Sequence, residues 1–591
     1  MNSAGIVLRQ SSGMEWIALL LACFFSLLLV TYPIFDFDFY WHLANGREMV
    51  NSGNIVSEEI FSYTHPGEHF SNHEWLGQIL FYQVWDTFGP MGLFTFKLFI
   101  VTAISFLLFR IVRNQDQTSG IALLLTVLVV LAGLNRYHIR PELFSLFSMA
   151  SLVFLLYGYC AQKLPRGLIW AVPVVMLTWD WLHGAVYGFA FLCTFVIAEN
   201  MKFRFKWFER QTRLSAPNLK YLNICFGVTL LVMLANPFGI RSYGIFVGYV
   251  VGEADFNSVI SEFTPISWEY SKVFILMLTW LLVMMVRNWR QLDFTQLATS
   301  VMFCLAALRF SRMGGAAAIV ILPLIADLLK ISMQSTRKQF ERRIHLFSVA
   351  TISALVFWYS YAVKFGAEEA EADSEKYHYV KAYDLSFGYH MNDDMYPAGA
   401  VHFVEENQIS GNLYNSGNLG AYLSYQITPE RKIFQYNMGR VFGNPMHYVM
   451  HPEELTKWNI AYALVDTEAE MNLFPNAQWA NVYRDKSSVL LIRRTPENEA
   501  LINRFEIRIF SPVYSDASLL EMAQDPEVLQ TLAIEMGDYL DYRHDPRIAA
   551  IWAKILRNHE ELRSEELFQH LLGKAIKYNP DSKLGDLLDH A

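Results

Sequence analysis

Runs of about twenty apolar residues recur through the first 363 positions of this 591-residue chain. That length is what a helix needs to cross a hydrocarbon layer roughly 30 Å thick. The first run, Trp16–Phe35, has only Arg9 as a basic residue before it and no small-residue cleavage site, so it is expected to stay as an anchor and not to be removed as a signal peptide. Further runs fall at 91–112, 120–135, 143–161, 168–183, 185–199, 219–236, 273–287, 294–309, 313–331 and 345–363, giving about eleven expected spans. Charged residues make up only 17% of the chain, against about 25% in soluble domains. The mean hydropathy of +0.21 is still modest for a pure bundle, so a sizeable polar part is expected as well.

The charges divide the same way. Residues 364–591 hold 35 acidic and 21 basic side chains, a net of −14, whereas the whole chain has −9, leaving +5 for the first 363 residues. Neither half has the basic, aromatic-interleaved stretch that nucleic-acid binding requires. An odd number of spans with a cytoplasmic N-terminus gathers Arg110, Arg113, Lys163, Arg166, Lys202, Arg204, Lys206, Arg210, Arg213, Lys220, Arg287, Arg290, Arg337, Lys338, Arg342 and Arg343 on the cytoplasmic side. This matches the positive-inside rule and sends residues 364–591 to the other side. All five cysteines (Cys23, Cys160, Cys193, Cys225, Cys304) sit in apolar runs, where buried, inert thiols are expected.

The polar half divides again. Residues 364–394 read as an acidic linker without periodicity. Between 395 and 494, β-type runs (KIFQY at 432–436, IAYALV at 460–465, SVLLIRR at 488–494) alternate with helical patterns such as AGAVHFVEEN, which predicts a small α/β domain. From 495 to 591 the pattern is helical, and AIKYNPDS at 575–582 resembles the end of a tetratricopeptide unit, with no second copy at the proper period.

The most informative stretch is the loop from 36 to 90. Asp36 and Asp38 stand where the first span leaves the hydrocarbon, a costly place for carboxylates without a task or a partner. Tyr40–Val50 and His73–Phe88 predict two amphipathic helices lying on the membrane surface, and Gly89-Pro90 should break the chain before the next span.

At these residues the chain resembles the GT-C membrane glycosyltransferases, which include protein mannosyltransferases, aminoarabinose transferases and oligosaccharyltransferases. It is nearest to bacterial relatives carrying D-x-D-x-x-W-H-L-x-x-G and H-E-W-L, here Asp36 to Gly46 and His73-Glu74-Trp75-Leu76. Arg140-Pro141-Glu142, Leu182-His183-Gly184, Asn236-Pro237-Phe238-Gly239 and Gly411-Asn412-Leu413-Tyr414-Asn415 extend the resemblance over most of 16–445. It departs at Ser57-Glu58-Glu59 and at Asn437-Met438-Gly439-Arg440.

The resemblance implies a polytopic α-helical transmembrane domain over 1–363 carrying an extracytoplasmic α/β domain and helical tail. It implies a bacterial inner-membrane enzyme that moves a sugar from a polyprenyl-phosphate donor to a glycan, lipid or protein acceptor on the extracytoplasmic side. In that family the acidic pair supplies the base for the acceptor or ligands for a divalent cation, Mg or Mn, so Asp38 and Asp36 are the catalytic or metal-binding candidates. Arg136, His138 and Arg140, in one short turn between spans, are candidates for holding the donor phosphate. His42, His73, Glu74 and His183 are candidates for supporting it. Each has a structural alternative: the aspartates as helix caps or partners of Arg47, Glu74 as a cap, Arg136 and Arg140 as partners of Glu142, His183 as a satisfied bundle residue. Two other functions stay open, a catalytically degenerate scaffold whose outer domain and tail bind protein partners, and a lipid or glycan transporter.

Overall fold

The computed structural model describes residues 13–32, 34, 36–205, 211, 214–239, 264–332, 351, 354, 395–442, 447–512, 514, 516–542 and 546–559. The expected span at 345–363, the basic cluster at 337–343, the linker at 364–394 and the tetratricopeptide-like stretch at 575–582 lie outside these residues. The described residues form two compact units: residues 13–57 with 69–332, and residues 58–68 with 395–559.

The first unit is helical: α1 (Gly13–Val30), α2 (Phe39–Ser52), α3 (Trp75–Asn114), α4 (Ser119–Ala132), α5 (Glu142–Cys160), α6 (Ala171–His183), α7 (Val186–Arg204), α8 (Ala216–Val232), α9 (Trp268–Arg287), α10 (Phe294–Arg309) and α11 (Gly314–Ser332). α1, α3, α5, α7 and the stretch Ser311–Ser332 ending in α11 are long and apolar enough to cross a membrane, and α4 and α10 are shorter apolar helices. α5 and α11 are largely enclosed by their neighbours, whereas α1 leaves Trp16, Ile17, Leu20 and Phe24 exposed, an apolar face suited to lipid. The thiols depart from the expected burial: Cys225 is buried, but Cys23, Cys160, Cys193 and Cys304 are partly open.

Ion pairs fasten one end of this bundle. Glu15 at the start of α1 takes Arg113 at the end of α3 at 3.2 Å. Lys202 lies between Glu199, at 2.8 Å, and Asp293, at 2.7 Å. The basic residues grouped on one face by sequence are thus partly spent on tying helix ends together.

The break expected at Gly89-Pro90 is present inside α3. Gly89 has φ 63° and ψ −160°, a backbone that L side chains rarely adopt. It separates a surface segment, Trp75–Phe88, from the apolar segment beginning at Pro90. α2 extends to 39–52 and ends on Gly53, in the left-handed region at φ 70°.

The second unit contains α12 (Ala398–Glu406), β1 (Asn412–Asn415), α13 (Gly417–Gln426), β2 (Ile460–Val465), β3 (Trp479–Arg484) and β4 (Val489–Arg493). The sheet order is β1-β2-β4-β3, with β1 and β2 parallel and the other pairs antiparallel. Its core is aromatic, with Tyr414, Phe434, Phe474 and Trp479 packed together. One expected strand is absent: KIFQY makes a single bridge, Ile433 to Ser62, because its backbone faces the isolated segment 58–68 and not the sheet. There Tyr63 donates its N–H to the Ile433 carbonyl, and Glu59 accepts from the Phe61 and Ser62 amides and the Tyr436 hydroxyl. Four further helices follow, α14 (Glu499–Phe505), α15 (Asp516–Met522), α16 (Pro526–Tyr542) and α17 (Pro546–Asn558), around Leu519, Leu532, Met536, Ile548 and Trp552.

At the carboxyl ends of β1 and β2, Glu470 accepts from the Tyr414 hydroxyl at 3.0 Å, Ser416 Oγ at 2.5 Å and Thr467 Oγ1 at 2.8 Å. Burial, and then the nearby Asp466 charge, push the Glu470 carboxyl up to about 7. The folded unit therefore holds a proton there that the unfolded chain has lost, so the contribution of Glu470 to stability is fully present below about 4.5 and is lost as pH rises to about 7. Hydrogen exchange at the β2 amides of the full-length protein, corrected for intrinsic rates, should show protection dropping across that window. Glu470→Gln should flatten the slope.

Candidate active site

Two glycines set the register of the site. At Gly46 a Cβ would stand 2.3 Å from the Gln78 carbonyl oxygen, so α2 lies directly on the surface segment of α3. At Gly77 it would stand 2.6 Å from the Leu182 carbonyl oxygen, so the same segment lies on the end of α6. These close approaches bring His42 of α2, Glu74 at the start of α3 and His183 of α6 to one place.

Glu74 occupies the N-cap position of α3 but its side chain makes no cap hydrogen bond. The carboxylate faces three imidazoles instead: His183 Nε2 at 3.2 Å, His42 Nδ1 at 3.6 Å and His73 Nε2 at 3.8 Å. Trp179 Nε1 donates to Ser145 Oγ at 2.6 Å, and Ser145 Oγ lies 2.7 Å from His183 Nδ1. With the serine hydrogen directed to Nδ1, Nε2–H of His183 points at Glu74. On the other side, Asn72 donates to Gln78 Oε1 at 2.8 Å, and Gln78 Nε2 sits 3.4 Å from His42 Nδ1. Burial, opposed by the Glu74 charge, pushes the His42 imidazole down to about 4, so it is neutral at pH 7. Burial alone would push the Glu74 carboxyl up, but the surrounding imidazoles outweigh it and hold Glu74 below the usual carboxylate range. A buried, ionised carboxylate among imidazoles is a built polar network.

The acidic pair lies where α1 hands over to α2. Asp36 Oδ1 accepts the Asp38 amide at 2.8 Å, turning the chain into α2. Asp38 holds the N-cap position of α2 yet makes no side-chain cap bond. Both carboxylates go to Arg140: its Nε lies 3.0 Å from Asp36 Oδ2, and its Nη2 contacts Asp38 Oδ2. The Asp38 side chain is 30% exposed and that of Asp36 only 8%, so Asp38 is the one an incoming group can reach. Arg140 also contributes to the electrostatics of His42, which links the acidic pair to the histidine cluster.

The other two members of the turn behave differently. Arg136 is buried against Glu142, with Nη2–Oε2 at 2.5 Å and Nε–Oε1 at 3.3 Å. Such a bidentate buried pair costs about 3–5 kcal/mol to break from one side, which marks Arg136 as an anchor of α5. His138 meets the Tyr32 ring edge-on, centroids 5.5 Å apart. Over the same Tyr32 ring, 3.7 Å from its centroid, lies the ammonium of Lys97, a residue 2% exposed. Lys97 sits seven residues, about 10 Å, into the apolar segment of α3, with no carboxylate partner among the described residues. Sequence reasoning passed over it, although one lysine inside an apolar run is itself a signal.

The surroundings of Asp36 and Asp38 bear on the divalent cation expected there. The guanidinium stands between the two carboxylates, and among the described residues no group of three or more His, Cys, Asp or Glu side chains converges as metal ligands.

No family model matches the chain, and no curated protein matches it. Solved structures do. The apo oligosaccharyltransferase of Archaeoglobus fulgidus superposes with a TM-score of 0.51 at 11% identity, over 82% of this chain and 74% of that one. ArnT from Cupriavidus metallidurans bound to undecaprenyl phosphate aligns at a TM-score of 0.45 and 14% identity, over 81% of this chain and 97% of its own. Its apo form aligns at 0.43 and 13% identity, with the same coverage. The chain is thus a membrane protein that shares its fold with the Archaeoglobus fulgidus oligosaccharyltransferase.

Proposed function

We propose that this protein transfers a sugar from a polyprenyl-phosphate donor to an acceptor on the extracytoplasmic side of the bacterial inner membrane, with the N-terminus cytoplasmic. The observation that carries the reading is the pair of ionisable carboxylates at the end of the first span, one of them reachable and both gathered around an arginine beside a histidine cluster. Asp38 takes the proton of the acceptor, the acceptor atom attacks the anomeric carbon, and the sugar–phosphate bond breaks with its electron pair leaving on the phosphate. Lys97 and His138 hold the departing anion at the lipid boundary, and Asp36 fixes the turn that presents Asp38. No step is routed through a metal.

Purified protein in nanodiscs, given a panel of polyprenyl-phosphate sugars and acceptor extract, should release polyprenyl phosphate. Absence of release with every donor, from protein that is folded and inserted in the nanodisc, sinks the reading. Lys97→Met, which keeps length and removes the charge, should raise the KM for donor about tenfold while changing kcat little. An unchanged KM assigns Lys97 to packing. The competing reading is a catalytically silent scaffold. It draws on the fact that both aspartates are already engaged by Arg140, and it predicts that the aspartates are expendable in cells.

A further inference from the structure

We propose that Arg140 stands permanently in the place of a divalent cation, so that the acidic pair works with a fixed guanidinium as its counter-charge. The geometry argues for this directly. Nε and Nη2 each engage a different carboxylate, which is the fork geometry of arginine and not that of a point charge. The backbone holds the arginine there: its amide bonds to the His138 carbonyl at 3.0 Å and its carbonyl accepts the Leu143 amide at 3.0 Å, immediately before Pro141 opens α5.

Hard cations ask for far more than the pair can give. Mg²⁺ needs near-octahedral oxygen and Ca²⁺ six to eight oxygens, whereas each aspartate already spends an oxygen on Arg140, and Asp36 spends its other on the Asp38 amide. A cation entering beside the guanidinium would face its charge at close range, and the nearby His42 imidazole belongs to the Glu74 cluster. Unlike a bound ion, arginine is not removed by chelators or lost at low metal concentration, and it keeps its charge throughout the physiological pH range.

Only the activity arm of the test rests on the glycosyltransferase reading. Full-length protein, stripped with EDTA and kept in detergent, is titrated with Mn²⁺ and followed by electron paramagnetic resonance. The wild type should show no bound Mn²⁺ that depends on Asp38, and Arg140→Ala should gain about one bound ion per chain, lost again in the Arg140→Ala, Asp38→Asn double variant. Arg140→Lys, which keeps the charge, should gain none and covers the case in which the alanine variant fails to fold. Stoichiometric Mn²⁺ binding by the wild type, abolished by Asp38→Asn, overturns the proposal. In the activity arm, EDTA should change transfer by less than twofold; loss of transfer restored by Mn²⁺ or Mg²⁺ also overturns it. If the wild type transfers nothing under either condition, the functional reading fails, and the resonance titration still decides the role of Arg140.

Discussion

Asp38→Asn should lower sugar transfer by a hundredfold or more while the protein still inserts and folds, because a positioned general base contributes about 10²–10⁴. The substitution is nearly isosteric and keeps an oxygen for Arg140, so the loss would report the missing base and not a collapsed turn. Asp36→Asn is the control. Asp36 is the more enclosed of the two and uses Oδ1 on the Asp38 amide, so its amide variant should cost roughly tenfold or less, through position. The measurement is single-turnover release of polyprenyl phosphate, with melting temperature recorded for each variant. Equal and undiminished rates in both variants would remove Asp38 from the role of base, whereas no release from the wild type as well would favour the scaffold reading.

Gly46→Ala is expected to be the most damaging single methyl group in the first unit. Its Cβ would meet the Gln78 carbonyl at 2.3 Å and the Tyr82 Cβ at 2.6 Å, neither of which is the free end of a flexible side chain. α2 must then lift off α3, at a cost of about 1–3 kcal/mol or more, and the same lift withdraws His42 from Glu74 and Gln78. A displacement near 1 Å in a catalytic constellation can cost about a hundredfold in rate. Gly167→Ala, where nothing lies within 4 Å, should change neither stability nor rate. Thermal melting of both variants in nanodiscs separates the two cases, and a neutral Gly46→Ala would mean that α2 is held less closely than the glycine contact requires.

The helical bundle was legible because span length and the Gly89-Pro90 break are local properties of the chain. α3 begins its apolar segment at Pro90 as expected, and IAYALV became β2 at 460–465 without adjustment. β1 was missed because Asn-Leu-Tyr-Asn is short and half polar, and it is a strand only through its pairing with β2. KIFQY has the composition of a strand but no sheet neighbour, which only the fold determines. In the site, the acidic pair and the H-E-W-L residues were visible one by one. Their partners were not: Arg140 and Asp38 are 102 positions apart, and nothing local distinguishes Arg140, which holds the aspartates, from Arg136, which holds Glu142.

Segment 58–68 has a bearing on how the protein is made. Ser62 Oγ donates to the Phe434 carbonyl across 372 positions of sequence, so this piece emerges from the ribosome early and can be completed only after every intervening helix has been synthesised. Closing so long a loop carries a large entropic toll and is slow compared with forming neighbouring helices. A ribosome stalled before residue 433 would leave Glu59 without the Tyr436 hydroxyl and Tyr63 without the Ile433 carbonyl that complete them.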